Sequence, residues 1–111
     1  MLDISPEYLK TVRAILSAYV PDCEVRAFGS RCNGTARKHS DLDLCICGKE
    51  KLDWILLANL KDALMESDLP IRVDVLDYHA VPEHFRKNMD NGVVIQDEIM
   101  KIPSPAGRGL G

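Results

Sequence analysis

The sequence predicts an α/β or α+β domain: a small mixed β-sheet covered by helices on at least one face. Three observations predict it. Residues 24–28, 41–47 and 70–76 have the short alternating or apolar pattern of strands, and longer segments of helical periodicity separate them. Hydrophobic residues make up 46% and charged residues 28% of 111 positions, which suits one packed core.

The first helix is signalled by Ser5-Pro6-Glu7, an N-cap residue, a proline at N1 and an acidic first turn. Leu9, Val12, Leu16 and Tyr19 follow at helical spacing, so the helix runs to about Tyr19 and stops before Pro21. Residues 24–28 alternate, with Val25 and Ala27 on one face and Glu24, Arg26 and Phe28 on the other, until Gly29 ends the run. Residues 30–39 are small, polar and basic and include Gly34, which suggests a brief helical turn and then a loop. Residues 41–47, closed by Gly48, read as a second strand.

A second major helix is expected over 51–66, where Leu52, Ile55, Leu56, Leu60, Ala63 and Leu64 make an apolar face for the sheet. In 70–76, Ile71, Val73 and Val75 alternate with Arg72, Asp74 and Leu76, a strand that should pair beside the second. Residues 82–91 have helix start and stop signals, and 93–102 is apolar but of undecided type. The domain is read as residues 1–102. The Pro/Gly/Ser-rich tail 103–111 is expected to be disordered, and sheet order does not follow from the pattern.

Net charge is −3, so the surface lacks the basic field that neutralises nucleic-acid phosphates, and a polynucleotide partner is disfavoured. No leader-like start and no membrane-length apolar run is present, and a cytoplasmic protein is expected. The four cysteines, Cys23, Cys32, Cys45 and Cys47, are read as reduced. Cys45 and Cys47 lack a second close Cys or His pair for zinc and are read as small core residues. His39, His79 and His84 receive no catalytic role, and Trp54 is read as a core or interface residue.

The chemistry lies in Phe28-Gly29-Ser30-Arg31 and, after a loop, Ser40-Asp41-Leu42-Asp43-Leu44. Asp41 and Asp43 are two apart on a strand and share a face, and two such carboxylates repel unless a cation lies between them. Hard oxygen ligands at this spacing suit Mg²⁺, which is commonly completed by substrate phosphates and so leaves room for a nucleoside triphosphate. Asp74 is a third carboxylate on the neighbouring strand, and three suffice for two ions that clamp attacking and leaving oxygens. Asp77 is its rival, but it points to the opposite face from Asp74, and parity favours Asp74.

Gly29 and Ser30 at a strand end let the backbone approach a phosphate, and Arg31, with Arg37 or Lys38 as further candidates, can neutralise its charge. Each feature alone has an ordinary structural explanation. Their joint occurrence at fixed separation should arise by chance in roughly one chain of this length in a thousand.

Gly29-Ser30, ten residues, then Asp41-Leu42-Asp43 resembles the signature of the DNA polymerase β-like nucleotidyltransferase superfamily. With Gly34, Ala36-Arg37 and Leu44 added, the run resembles the minimal nucleotidyltransferase (MNT) family, from the first helix to about residue 102. The resemblance implies a nucleotidyltransferase fold, with Asp41, Asp43 and Asp74 binding two Mg²⁺ ions and Gly29, Ser30 and Arg31 binding the triphosphate. It also implies AMP transfer from ATP to a tyrosine of a HEPN-domain toxin, with this chain as antitoxin. In one respect the chain departs from the family: Arg31-Cys32-Asn33 stands where many members have Arg-Ala-Arg, which thins the expected phosphate contacts. Two other readings stay open, a non-catalytic subunit that occludes its partner and a small-molecule (antibiotic) nucleotidyltransferase. Size argues against the latter, since relatives with that activity carry an additional helical domain that nothing in this sequence could form unless a partner chain supplies it.

Overall fold

The structure is a computed structural model and describes Leu2, residues 4–29, Arg31 and residues 41–96. Within them the order is α1 (Pro6–Tyr19), β1 (Glu24–Phe28), β2 (Leu42–Cys47), α2 (Trp54–Met65), β3 (Val73–Asp77), a 3₁₀ turn (Tyr78–Ala80), α3 (Glu83–Asp90) and β4 (Val93–Gln96). The expectations for 32–40 and 97–111 lie outside the described residues.

The strands form one mixed sheet in the order β3-β2-β1-β4. The β1 strand is antiparallel to β2 and β4, whereas β2 and β3 are parallel and joined by a crossover through α2. As expected, Val25, Ala27, Leu42, Leu44, Ile46 and Val75 all point to one face. There Val12 and Leu16 of α1 and Leu60 and Leu64 of α2 close over them, and every one of these ten is 3% exposed or less. The other face is covered at one end by α3, where Phe28, Cys45 and Met89 form a smaller cluster with Leu76, Tyr78 and Phe85.

Helix α1 has the predicted bounds, set by Pro6 at N1, although the Ser5 side chain makes no capping hydrogen bond. Helix α2 begins at Trp54, three residues later than the periodicity predicts, because the Asp53 side chain caps it by accepting from Ile55 N at 3.1 Å. Residue 52 is held elsewhere: Leu52 N donates to Asp77 Oδ2 at 2.8 Å. The third strand is shifted from 70–76 to Val73–Asp77. The undecided segment begins as β4 and is fastened from both sides. Buried Gln96 donates through Nε2 to Val20 O (2.8 Å) and Cys23 O (2.9 Å), and Arg13 Nε donates to Ile95 O (2.9 Å). Where α3 returns to β1, a Cβ on Gly92 would overlap the Ala27 carbonyl oxygen, so only glycine allows that approach. Among the described residues no helix is long and apolar enough to cross a membrane.

Candidate active site

The sheet register brings the predicted carboxylates together. Phe28 of β1 is paired with Asp43 of β2, and Asp43 with Asp74 of β3, so the three lie in one row across adjacent strands. Strands are spaced about 4.8 Å apart, which puts the two carboxylates side by side on the face away from the main core. Exposed Asp41 precedes β2 by one residue and shares the parity of Asp43.

Electrostatics record the crowding. The Asp43 carboxyl is pushed above its ordinary value, first by burial and then by the negative charges of Asp74 and Asp41. Gly29 supplies the fourth element. Its φ of +85° is left-handed, and a Cβ built there would overlap Asp43 Oδ2. Glycine therefore ends β1 and also lets the backbone press against the carboxylate. Phe28 walls this end of the row and meets Phe85 of α3 edge to face at 6.4 Å.

The other predicted site residues divide. Arg31, two residues beyond Gly29, is buried, at 7% exposed. Ser30, Arg37 and Lys38 lie outside the described residues. Asp77 belongs to the opposite face and is 4% exposed. It uses both oxygens on backbone amides, accepting from Leu52 N and from His79 N at 3.1 Å. It thus ties the β2–α2 connection to the end of β3, and both oxygens are occupied by structure.

His79 is likewise structural, with Nε2 2.6 Å from Gly48 O; a carbonyl can only accept, so Nε2 carries the proton. Cys45 and Cys47 are free thiols with sulfurs 3.8 Å apart, Cys45 buried and Cys47 at the edge of the smaller cluster. Trp54 is 76% exposed and is no core residue.

Among the described residues no three His, Cys, Asp or Glu side chains enclose a common point by themselves. Mg²⁺ takes one or two carboxylates and completes its octahedron with water and substrate phosphates. The raised Asp43 points to such an ion, because it is a partly buried anion beside two others and a divalent cation would relieve it. The pair that register sets side by side, Asp43 and Asp74, offers the one or two carboxylates that such an ion takes, and these are the residues that would hold it. Sequence reasoning missed the Gly29–Asp43 contact, although a glycine closing one strand with an aspartate opening the next is the signal that could have found it.

The mixed sheet, the side-by-side Asp43 and Asp74 and the glycine turn against Asp43 are arranged as the nucleotidyltransferase resemblance leads one to expect. Residues 7–99 match the family described as "Polymerase beta, Nucleotidyltransferase", and the chain belongs to that family. It is similar to the Haemophilus influenzae protein named "Probable protein adenylyltransferase MntA", with 48% identity over 105 residues, 94% of this chain and 92% of that protein. A solved structure of a minimal nucleotidyltransferase matches with TM-score 0.61 and 32% identity over 80% of this chain and 93% of that one. A toxin–antitoxin crystal structure with AMP-PNP matches in fold, with TM-score 0.59 and 22% identity over 84% of this chain and 77% of that one.

Proposed function

We infer that this chain is a Mg²⁺-dependent protein adenylyltransferase that moves AMP from ATP to a tyrosine hydroxyl of a HEPN-domain toxin and thereby acts as its antitoxin in the cytoplasm. The observation that carries the reading is the Asp43–Asp74 pair, set side by side by register, with Asp43 raised by burial and like charge and packed by Gly29. The relative named as a protein adenylyltransferase, nearly half identical along almost the whole chain, supports the choice of reaction.

When bound, Mg²⁺ would supply charge neutralisation at the attacking and leaving oxygens. The chain's own groups account for the rest. Gly29 and the backbone after it approach the triphosphate, with Ser30 and Arg31 as further phosphate contacts. Asp41 and Asp43 would hold the cation that accompanies the nucleotide. Asp74 stands at the far end of the row and takes the proton of the acceptor hydroxyl. That oxygen then bonds to the α-phosphorus, the α–β bridging bond breaks, and pyrophosphate leaves. Holding both reactants in line supplies much of the rate.

The test is to incubate the chain with MgATP and its HEPN-domain partner and weigh the partner by intact mass spectrometry. One added AMP per modified tyrosine is expected, lost with Asp43→Ala. No adduct from wild type, or an equal adduct from the variant, contradicts the reading. Exposed Trp54, Ile55 and Met65 on α2 suit a protein partner, which also favours a second reading: stoichiometric occlusion. Occlusion requires the toxin to stay neutralised by the Asp41→Ala, Asp43→Ala double variant, whereas catalysis requires neutralisation to be lost.

A further inference from the structure

Cys45 and Cys47 lie on the same face of β2 as Asp43, because positions 43, 45 and 47 alternate with Leu44 and Ile46 of the main core. Both thiols belong to the smaller cluster under α3, where Cys45 is fully buried and Cys47 is only partly covered. Alternate Cα atoms of a strand are about 6.6 Å apart. The two sulfurs are 3.8 Å apart and unbridged, so the side chains lean toward each other.

The pair is asymmetric. Across the ladder on β1, Glu24 is paired with Cys47 and Arg26 with Cys45, and the Arg26 guanidinium is hydrogen-bonded to Glu24 and to Asp90 O. The Cys47 thiol is held below its ordinary value, first by the hydrogen bond from Cys45 and then, against the opposing effect of burial, by the positive charge of Arg26. Cys47 is therefore both the better nucleophile and the sulfur that an oxidant meets first. Partial cover admits a small oxidant more readily than a bulky disulfide, which favours a hydroperoxide.

Geometry also says what a bridge would do. Disulfides span about 4.4–6.8 Å between Cα atoms and most often 5.5–6 Å, so a strand holds these two residues near the long limit. Closing the bridge draws them together, against pairing of β2 with β1 through Cys47 on one side and with β3 through Cys45 and Ile46 on the other. The loop enclosed contains only Ile46, and so short a loop brings little entropic stabilisation in return.

We propose that Cys45 and Cys47 form a peroxide-reactive dithiol, with Cys47 as the attacking sulfur and Cys45 as the resolving one, whose closure to a reversible disulfide distorts the strand that carries Asp43. In the first step the Cys47 thiolate attacks hydrogen peroxide: an S–O bond forms, the O–O bond breaks, and hydroxide leaves a sulfenic acid behind. In the second, the Cys45 sulfur bonds to the Cys47 sulfur, the S–O bond breaks, and the hydroxyl departs with the Cys45 proton as water. The two thiols together lose two electrons to the peroxide, and a thiol reductant restores them by exchange. Neither step requires nucleotide or partner.

The experiment treats the full chain with a small excess of hydrogen peroxide, alkylates the remaining thiols and maps the tryptic peptides. Cys45 and Cys47 share the peptide 39–49, which contains no methionine. That peptide is expected to become unalkylated and two hydrogens lighter before Cys23 is modified, and to revert with dithiothreitol. Cys45→Ala should stop at a Cys47 sulfenic acid that dimedone captures. Arg26→Gln, which leaves both thiols in place, should slow the oxidation about threefold. The oxidised wild type should melt several degrees below the reduced chain. Peptide 39–49 keeping both thiols while Cys23 or Cys32 oxidises, or Cys45 and Cys47 bridging to other cysteines, overturns the proposal. An Arg26→Gln rate equal to wild type, or an oxidised chain that melts no lower, overturns it as well.

Discussion

The two faces of the sheet share strands but differ in what their side chains do. Along β2, Leu42, Leu44 and Ile46 point into the core and are fully buried, while Asp43, between the first two, points the other way into a row of like charges. The core face is satisfied: its buried aspartate, Asp77, has both oxygens on backbone amides. The Asp43 face is held in an unfavourable electrostatic state by the stability of the core face. A binding site for a cation and a triphosphate requires this imbalance, because charge that the protein has already neutralised cannot attract a ligand.

Substitutions on the two faces should therefore have opposite signatures. On the site face, Asp43→Ala is expected to lower transfer by about a thousandfold or more while leaving the chain folded, as checked by single-turnover rates and circular dichroism. On the core face, Leu44→Ala should cost about 2–5 kcal/mol in urea unfolding, because the buried site cannot collapse around the lost volume. Asp77→Ala comes next, at about 2–3 kcal/mol, because it leaves two backbone amides without their acceptor. The activity of its folded fraction should survive, which separates it from Asp74. Smallest is Trp54→Ala, expected to change stability by less than about 0.5 kcal/mol since the indole is exposed, so any loss of function there reports on a partner.

A pH series sharpens the same comparison. A carboxyl raised in the folded state binds its proton more tightly there than in the unfolded chain, so stability falls as pH rises from the ordinary carboxylate value through the raised one. Below that window Asp43 carries no penalty, and above it the penalty is full. The Tm of Asp43→Asn minus that of wild type, measured without Mg²⁺, should therefore grow with pH across the window and then level off.

Much of this was legible in the residues because parity is local. The period-two alternation of 24–28 and 41–47 fixed which side chains share a face, and the same argument preferred Asp74 to Asp77. What escaped depends on contacts distant in sequence. The early start expected for α2 followed apolar spacing through Leu52, whereas Leu52 N is claimed by Asp77, 25 residues away. The strand expected at 70–76 begins three residues later, at Val73, since alternation runs through Ile71 and Arg72 before the ladder of paired residues starts. Sheet order depends on β4 pairing with β1 across the whole chain, which no short motif encodes.

The central claim is that Asp43 is an anion left unneutralised by the protein for Mg²⁺ and nucleotide to neutralise. Thermal unfolding of wild type and Asp43→Asn at neutral pH, each with and without MgATP, tests it most directly. The account requires the variant to unfold at the higher temperature without ligand, and MgATP to raise the Tm of wild type while leaving the variant nearly unmoved. A variant no more stable than wild type without ligand, or one stabilised equally by MgATP, would contradict it.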